Sequence, residues 1–294
     1  MKPLEEKKAR KHIKNYTPEK GKVSMSEKEI AKLLMENELK ALEHIKKQLK
    51  EPSEVIVDML LYSSVGNYYI EFEYLANGTL FDFTRYLHER NKMTEEIVKA
   101  IFKNLLNLVN EIHKSNVSHL NLRLENVMFD EKGKMRLIDF GYSHISKSGI
   151  RIPRSAIGTT EFSAPETYNL KSFKKYIPRS ADVFSLGIIL FALYFGKCPF
   201  ERCNETDREY IPIINEDYVS FWNTWYHRLE SKFLSSSEEL KLLIASMIKY
   251  LPETRLTLNE VINSQWIRST TQARYEELNV YIRNLVIESK QQYY

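Results

Sequence analysis

Between Ser26 and about Lys50 the apolar residues Ile30, Leu33, Leu34, Leu42 and Ile45 recur at spacings of three, four and seven among Lys and Glu, and this period predicts a helix. Ser26 with Glu29 three residues on reads as a capping box at its start, and Pro52 closes it. Two β-type runs follow, Val55 to Tyr62 and Tyr68 to Tyr74, and the Ser63-Ser64-Val65-Gly66-Asn67 stretch between them predicts a hairpin. Asn77-Gly78 marks another turn. Beyond it helical spacing governs: Leu80 to Arg90, Glu95 to Lys114, and several helices between Arg179 and the end. In the last of these, Ala273 to Glu288, the residues Leu278, Ile282, Leu285 and Val286 share one side, so this tail is expected to pack on the helices before it. A small mixed N-terminal part and a large helical C-terminal part result, with no internal repeat or low-complexity linker.

Composition agrees with a packed protein. The 294 residues suit one large domain or two lobes sharing an interface, and 43% hydrophobic with 28% charged residues is too apolar for general disorder. The net charge of +4 is uneven: residues 1–22 hold eight Lys or Arg against three Glu, which predicts a solvated, flexible basic arm. Cys198 and Cys203 have no second pair at metal-ligand spacing, and the N-terminus lacks the apolar core of a signal peptide, so a reducing interior, cytoplasmic or nuclear, is the expected location. The longest apolar run, Leu186 to Phe195, is far shorter than the roughly 20 residues of a bilayer span. Neither a membrane span nor nucleic acid is expected as a partner.

The chemistry concentrates between His119 and Glu166. His119-Leu120-Asn121-Leu122-Arg123-Leu124-Glu125-Asn126 leads into the apolar Val127-Met128-Phe129, a turn over 130–134, and Met135-Arg136-Leu137-Ile138, which ends in Asp139-Phe140-Gly141. Strand, turn and strand hold an Asn and an Asp side by side, and two hard oxygen ligands suit Mg²⁺.

This stretch resembles the protein kinase family, whose catalytic loop reads HRDLKxxN and whose magnesium loop reads DFG. The resemblance covers about residues 23–267 and extends through Gly158-Thr159-Thr160-Glu161-Phe162-Ser163-Ala164-Pro165-Glu166, similar to the peptide-binding segment and APE motif. It continues through Ser180 to Gly187, Pro199-Phe200, and Leu251 to Thr257, whose Arg255 pairs with the APE Glu in that family. The implied fold is α+β and bilobal, a reduced β-lobe over 23–75 and a helical lobe over 76–267, preceded by the arm 1–22 and followed by the tail 268–294. The resemblance implies Glu38 as the regulatory-helix Glu, Phe72 as gatekeeper, and Glu73-Tyr74-Leu75 as hinge. It also implies a hydrophobic column of Leu42, Met59, Phe140 and His119, metal ligands Asn126 and Asp139, and an adenine pocket lined by Ser24, Phe72, Tyr74 and Met128.

Several positions depart from the family. Asn121 stands where the family has its catalytic Asp, and a carboxamide has no useful basicity. Leu120 replaces the adjoining Arg, whereas Arg123 keeps a cation near the path of the transferring phosphate. If Lys22-Val23-Ser24-Met25-Ser26 aligns with the family's VAIK strand, Ser26 replaces the phosphate-binding Lys, with Lys20, Lys22 or Lys28 as spatial substitutes. The first 65 residues contain only Gly21, so no phosphate-covering loop is drawn, and the start at Met1 is read as favouring a naturally short lobe. These losses point to a pseudokinase that acts as scaffold or regulator through a protein partner, for example an active kinase. ATP and Mg²⁺ are the cofactors the resemblance implies, and the losses weigh against both. The alternative is a weak or unconventional Ser/Thr protein kinase, which Thr159 and the Glu125-Asn126 pair favour, the latter similar to the calmodulin-dependent branch.

Overall fold

The computed structural model describes residues 8–12, 27–63, 69–146, 161–169 and 172–291. In the small lobe, strand β1 (Lys8–His12) precedes helix α1 (Glu27–Gln48), and β2 (Met59–Ser63) pairs antiparallel with β3 (Tyr69–Glu73); the turn expected between them lies, from 64 on, outside the described residues. Among the described residues these strands make one antiparallel sheet in the order β1-β3-β2. The basic arm expected as a flexible terminus thus contributes a strand: Lys8 pairs with Glu73, Ala9 with Phe72 and Lys11 with Ile70. Its sequence carries no apolar alternation, so the pairing comes from β3, whose Ile70, Glu71 and Phe72 are buried.

Helix α1 buries Ile30, Met35, Glu38, Ala41, Leu42 and Ile45, whereas Leu33, counted above with the apolar face, is 44% exposed. Its expected cap at Ser26 lies outside the described residues. The run expected as a strand from Val55 begins only at Met59. Before it, Val55 and Val57 bond to Leu137 (Leu137 N to Val55 O 3.0 Å, Val57 N to Leu137 O 3.2 Å), which ties the small lobe to the segment leading into Asp139.

The large lobe follows with α2 (Leu80–Glu89), α3 (Glu95–Lys114), the short strands β4 (Val117–Ser118), β5 (Val127–Phe129), β6 (Met135–Leu137) and β7 (His144–Ile145), and α4 (Pro178–Phe195). After these come α5 (Ile211–Ile214), α6 (Tyr218–Arg228), α7 (Glu230–Ser235), α8 (Glu238–Met247), α9 (Leu258–Ile262), α10 (Gln265–Arg268) and α11 (Gln272–Gln291). Thr79 caps α2 in a box with Asp82, and Thr94 caps α3. Helix α4 is long and apolar enough to cross a membrane, but 89% of it is buried inside the lobe, where it serves as the central core helix. Gly187 permits this packing: a Cβ there would lie 2.7 Å from Ile248 Cγ2 and 2.9 Å from Met247 Cβ.

Helix α11 seats on α3 and α2, with Tyr275, Leu278, Ile282, Leu285 and Val286 buried. Asn104 receives the Tyr275 hydroxyl at 2.8 Å and donates to Asn279 at 2.6 Å, while the Tyr86 hydroxyl donates to Glu288 at 3.0 Å.

Candidate functional site

Strand β4 delivers the chain to His119, and the next residue, Leu120, takes a left-handed turn at φ 59°. A leucine there costs about 1–3 kcal/mol, so the backbone must be held. Asp182 of α4 does so, with 0% exposure: its carboxylate accepts the amides of His119 (2.9 Å) and Leu120 (2.8 Å) and faces His113 Nε2 at 2.8 Å. His119 Nε2 donates to the Ile138 carbonyl at 3.0 Å, and Nδ1 accepts the Asn121 amide at 3.3 Å. Burial pushes the His119 pKa down, which agrees with this neutral tautomer.

Asn121 is fixed from the other side as well, because its carbonyl accepts Asn126 Nδ2 at 2.8 Å. Its own amide nitrogen then donates to Asp139 Oδ2 at 2.8 Å. Asn121 therefore faces the Asp139-Phe140-Gly141 loop and supplies it with a donor.

Asp139 also sits in the left-handed region, at φ 61°. The loop it opens is held by α1: the buried Glu38 accepts the Phe140 amide at 3.2 Å, and Asn37 Nδ2 donates to the carbonyls of Gly141 and Ser143, each at 2.9 Å. Phe140 is buried, with its ring 4.7 Å from that of His119. Leu42 is buried in the same core as Phe140, and Met59, half-buried, packs against that core.

Arg123, expected near a transferring phosphate, turns instead to Glu125, with Nε and Nη2 at 2.7 and 3.0 Å from its two oxygens. This hydrogen bonding pushes the Arg123 pKa up. Burial works to raise the Glu125 carboxyl, yet the hydrogen bond and charge of Arg123 leave it below its usual range. The guanidinium also lies 5.7 Å from the Phe162 ring.

Phe72 and Leu75 are buried, Met128 is half-buried and Tyr74 is exposed. Glu73 is tied to the residue just before β2, its carboxylate accepting the Asp58 amide at 2.9 Å. The chain then crosses between the lobes beside β5, where Gly78 accepts the Phe129 amide at 2.9 Å. Ser24, Ser26 and Thr159 lie outside the described residues. The strand next to Phe72 is Lys8–His12, so the place expected for Lys22 to Ser26 belongs to Ala9-Arg10-Lys11, with Ala9 opposite the gatekeeper and Lys11 two residues along the strand. This is a correction, and its signal is the A-x-K tripeptide Ala9-Arg10-Lys11 within the basic segment 1–22. At the far end of the site, Arg255 Nη1 and Nη2 reach Glu166 at 2.5 and 2.8 Å with both side chains fully buried, as the resemblance implies.

A sequence model described as the protein kinase domain matches residues 5–267. The chain belongs to the protein kinase family. The match begins three residues before β1. Among similar proteins, "Protein kinase kin1" of Schizosaccharomyces pombe is 29% identical over 207 residues, 70% of this chain and 21% of the relative. "Probable serine/threonine-protein kinase KIN1 homolog" of Encephalitozoon cuniculi is 29% identical over 227 residues, 77% of this chain and 36% of the relative. "CBL-interacting serine/threonine-protein kinase 26" of Arabidopsis thaliana is 31% identical over 202 residues, 68% of this chain and 42% of the relative. The matched segments span at most half the length of these curated relatives.

Kinases of this family generally use ATP and Mg²⁺. The donor set here fits a magnesium ion in type: Asp139 offers a carboxylate, and Asn126, its nitrogen spent on Asn121, offers the amide oxygen. The fit is partial in geometry, because Asn121 already occupies one oxygen of Asp139.

Proposed function

We propose that this kinase-family chain is a pseudokinase that works as a scaffold or regulator by binding a protein partner, with phosphate transfer slow or absent. The observation that carries this reading is the Asn121 amide at 2.8 Å from Asp139. A group that should take the proton of an acceptor hydroxyl is here a donor aimed at the metal-binding carboxylate. Loss of a general base costs about 10²–10⁴-fold in rate, and Arg123, paired with Glu125, is turned away from phosphate chemistry. The rigid parts that a partner would read, the helical lobe and the segment locked by Glu166 and Arg255, keep their supports. A cytoplasmic or nuclear setting belongs to the same proposal.

A second reading, a weak Ser/Thr protein kinase, draws support from Lys11. In the VAIK strand the Lys pairs with the nucleotide phosphates and the regulatory-helix Glu, and the register of β1 beside Phe72 favours Lys11 for that part. The relatives are also named Ser/Thr kinases. Phosphate transfer from labelled ATP to protein acceptors, with Mg²⁺ or Mn²⁺ and with Asp139→Ala as control, separates the readings. The regulator reading expects turnover at least about 10²-fold below the 1–100 s⁻¹ typical of kinases. Ordinary turnover that vanishes in Asp139→Ala would establish the enzyme instead.

A further inference from the structure

We propose that the Asn121 carboxamide stands in for a divalent cation at Asp139, holding the magnesium loop in its working position without metal and leaving the chain indifferent to Mg²⁺. The inference rests on the reading of Asn121 as the vacated proton-acceptor position.

A half-buried carboxylate such as that of Asp139 needs donors or a cation to offset its lost hydration. Asn121 Nδ2 supplies a donor to Asp139 Oδ2 at 2.8 Å. The donor is not free to swing away. Its residue is held through its amide by His119 Nδ1 at 3.3 Å and through its carbonyl by Asn126 Nδ2 at 2.8 Å. The acceptor is held in turn. The Ile138 carbonyl before Asp139 takes His119 Nε2 at 3.0 Å, and the Phe140 amide after it donates to Glu38 at 3.2 Å. His119 thus ties both partners together, and the Asn121 to Asp139 bond lies between two segments that are already cross-linked. Asp139, at φ 61°, is thus anchored at the tip of its side chain as well as through its neighbours.

The contrast with a carboxylate at position 121 makes the substitution intelligible. At this separation two carboxylates would set negative oxygens against each other, which a shared proton or a metal ion must relieve. The neutral amide removes the repulsion and supplies the attraction at once. An ion entering here competes with the Asn121 Nδ2 hydrogen bond for Asp139 Oδ2, and so gains little.

Thermal unfolding of the full chain, without nucleotide, in EDTA and in saturating MgCl2 or MnCl2, tests the proposal. The wild-type melting point should differ by less than about 1 °C between the two conditions. Asn121→Asp should melt lower in EDTA and gain about 5 °C on addition of metal, the shift expected for a site filled well above its dissociation constant. A wild-type gain as large as that of Asn121→Asp overturns the proposal, as does a folded Asn121→Asp that ignores metal. Should Asn121→Asp fail to fold in EDTA, its recovery with Mg²⁺ supports the proposal. Should it fail in both, Asn121→Leu decides: similar in size but without the donor, it must melt lower than wild type in EDTA and recover with Mg²⁺, and no recovery overturns the proposal. Because no phosphate transfer is read, a metal-responsive wild type leaves the regulator reading standing, and a rapid transferase would remove that reading without predicting these melts.

Discussion

Arg255 and Glu166 show what a single pair can hold. Both side chains are fully buried, and the guanidinium also donates to the carbonyls of Lys249, Tyr250 and Ser180 at 2.6, 3.0 and 3.2 Å. Removing one member leaves an uncompensated buried charge, which costs about 3–5 kcal/mol. Glu166→Ala is therefore expected to lower unfolding free energy by that amount in denaturant titrations, while Glu253→Ala, a nearby exposed carboxylate, changes it by less than about 0.5 kcal/mol. This pair was legible in the sequence because its two motifs are read as partners. The Asn121 to Asp139 bond was not. A substitution announces the loss of a carboxylate, but which way an amide turns depends on His119, Asn126 and the strand end at Ile138, and these meet only in three dimensions. Asn37, His113 and Asp182 escaped for the same reason, since each acts through a backbone group or ring distant in the chain.

At the scale of elements, period and caps carried most of the information. Helix α3 runs over Glu95–Lys114 as its spacing predicts, with Thr94 as cap. Strand β1 failed the same test because an edge strand can be recruited by a neighbour's open backbone with no pattern of its own. Helix α7 illustrates a contact that periodicity never reveals. Its Lys232 Nζ donates to His88 Nδ1 at 2.6 Å and to the Tyr194 carbonyl at 3.1 Å, while His88 Nε2 donates to the Leu193 carbonyl at 2.8 Å. Burial, and then the charge of Lys232, push the His88 pKa below its ordinary 6.5. The fold therefore binds this proton less readily than the unfolded chain does, so the stabilisation is present above pH 6.5 and drains away as pH falls through the lowered folded value. Melting points measured between pH 7 and about 5 should fall for wild type and fall less steeply for His88→Gln, which has no ring to protonate; parallel slopes would refute the assignment.

The whole molecule is a small sheet riding on a large helical lobe; the hydrophobic pattern predicted a small mixed part and a large helical part, and the kinase resemblance implied their bilobal arrangement. The tail helix α11 belongs to the lobe's core. Its Leu278, Ile282, Leu285 and Val286 are each worth about 1.5–3 kcal/mol when buried, so deletion of residues 272–291 forfeits on the order of 6 kcal/mol or more, against the roughly 5–15 kcal/mol that holds a typical domain together. The shortened chain is expected to lose its cooperative thermal transition and most of its soluble yield. A sharp transition at the full-length melting point would mean that the helix is dispensable.

The first turn of α4 joins two distant places. Ser180 bonds to Pro252 and receives Arg255 on one side, and two residues later Asp182 grips the backbone of His119 and Leu120 on the other. The two grips lie two residues apart on one helical turn, so the 250–255 corner and the unfavourable twist at Leu120 share a single support.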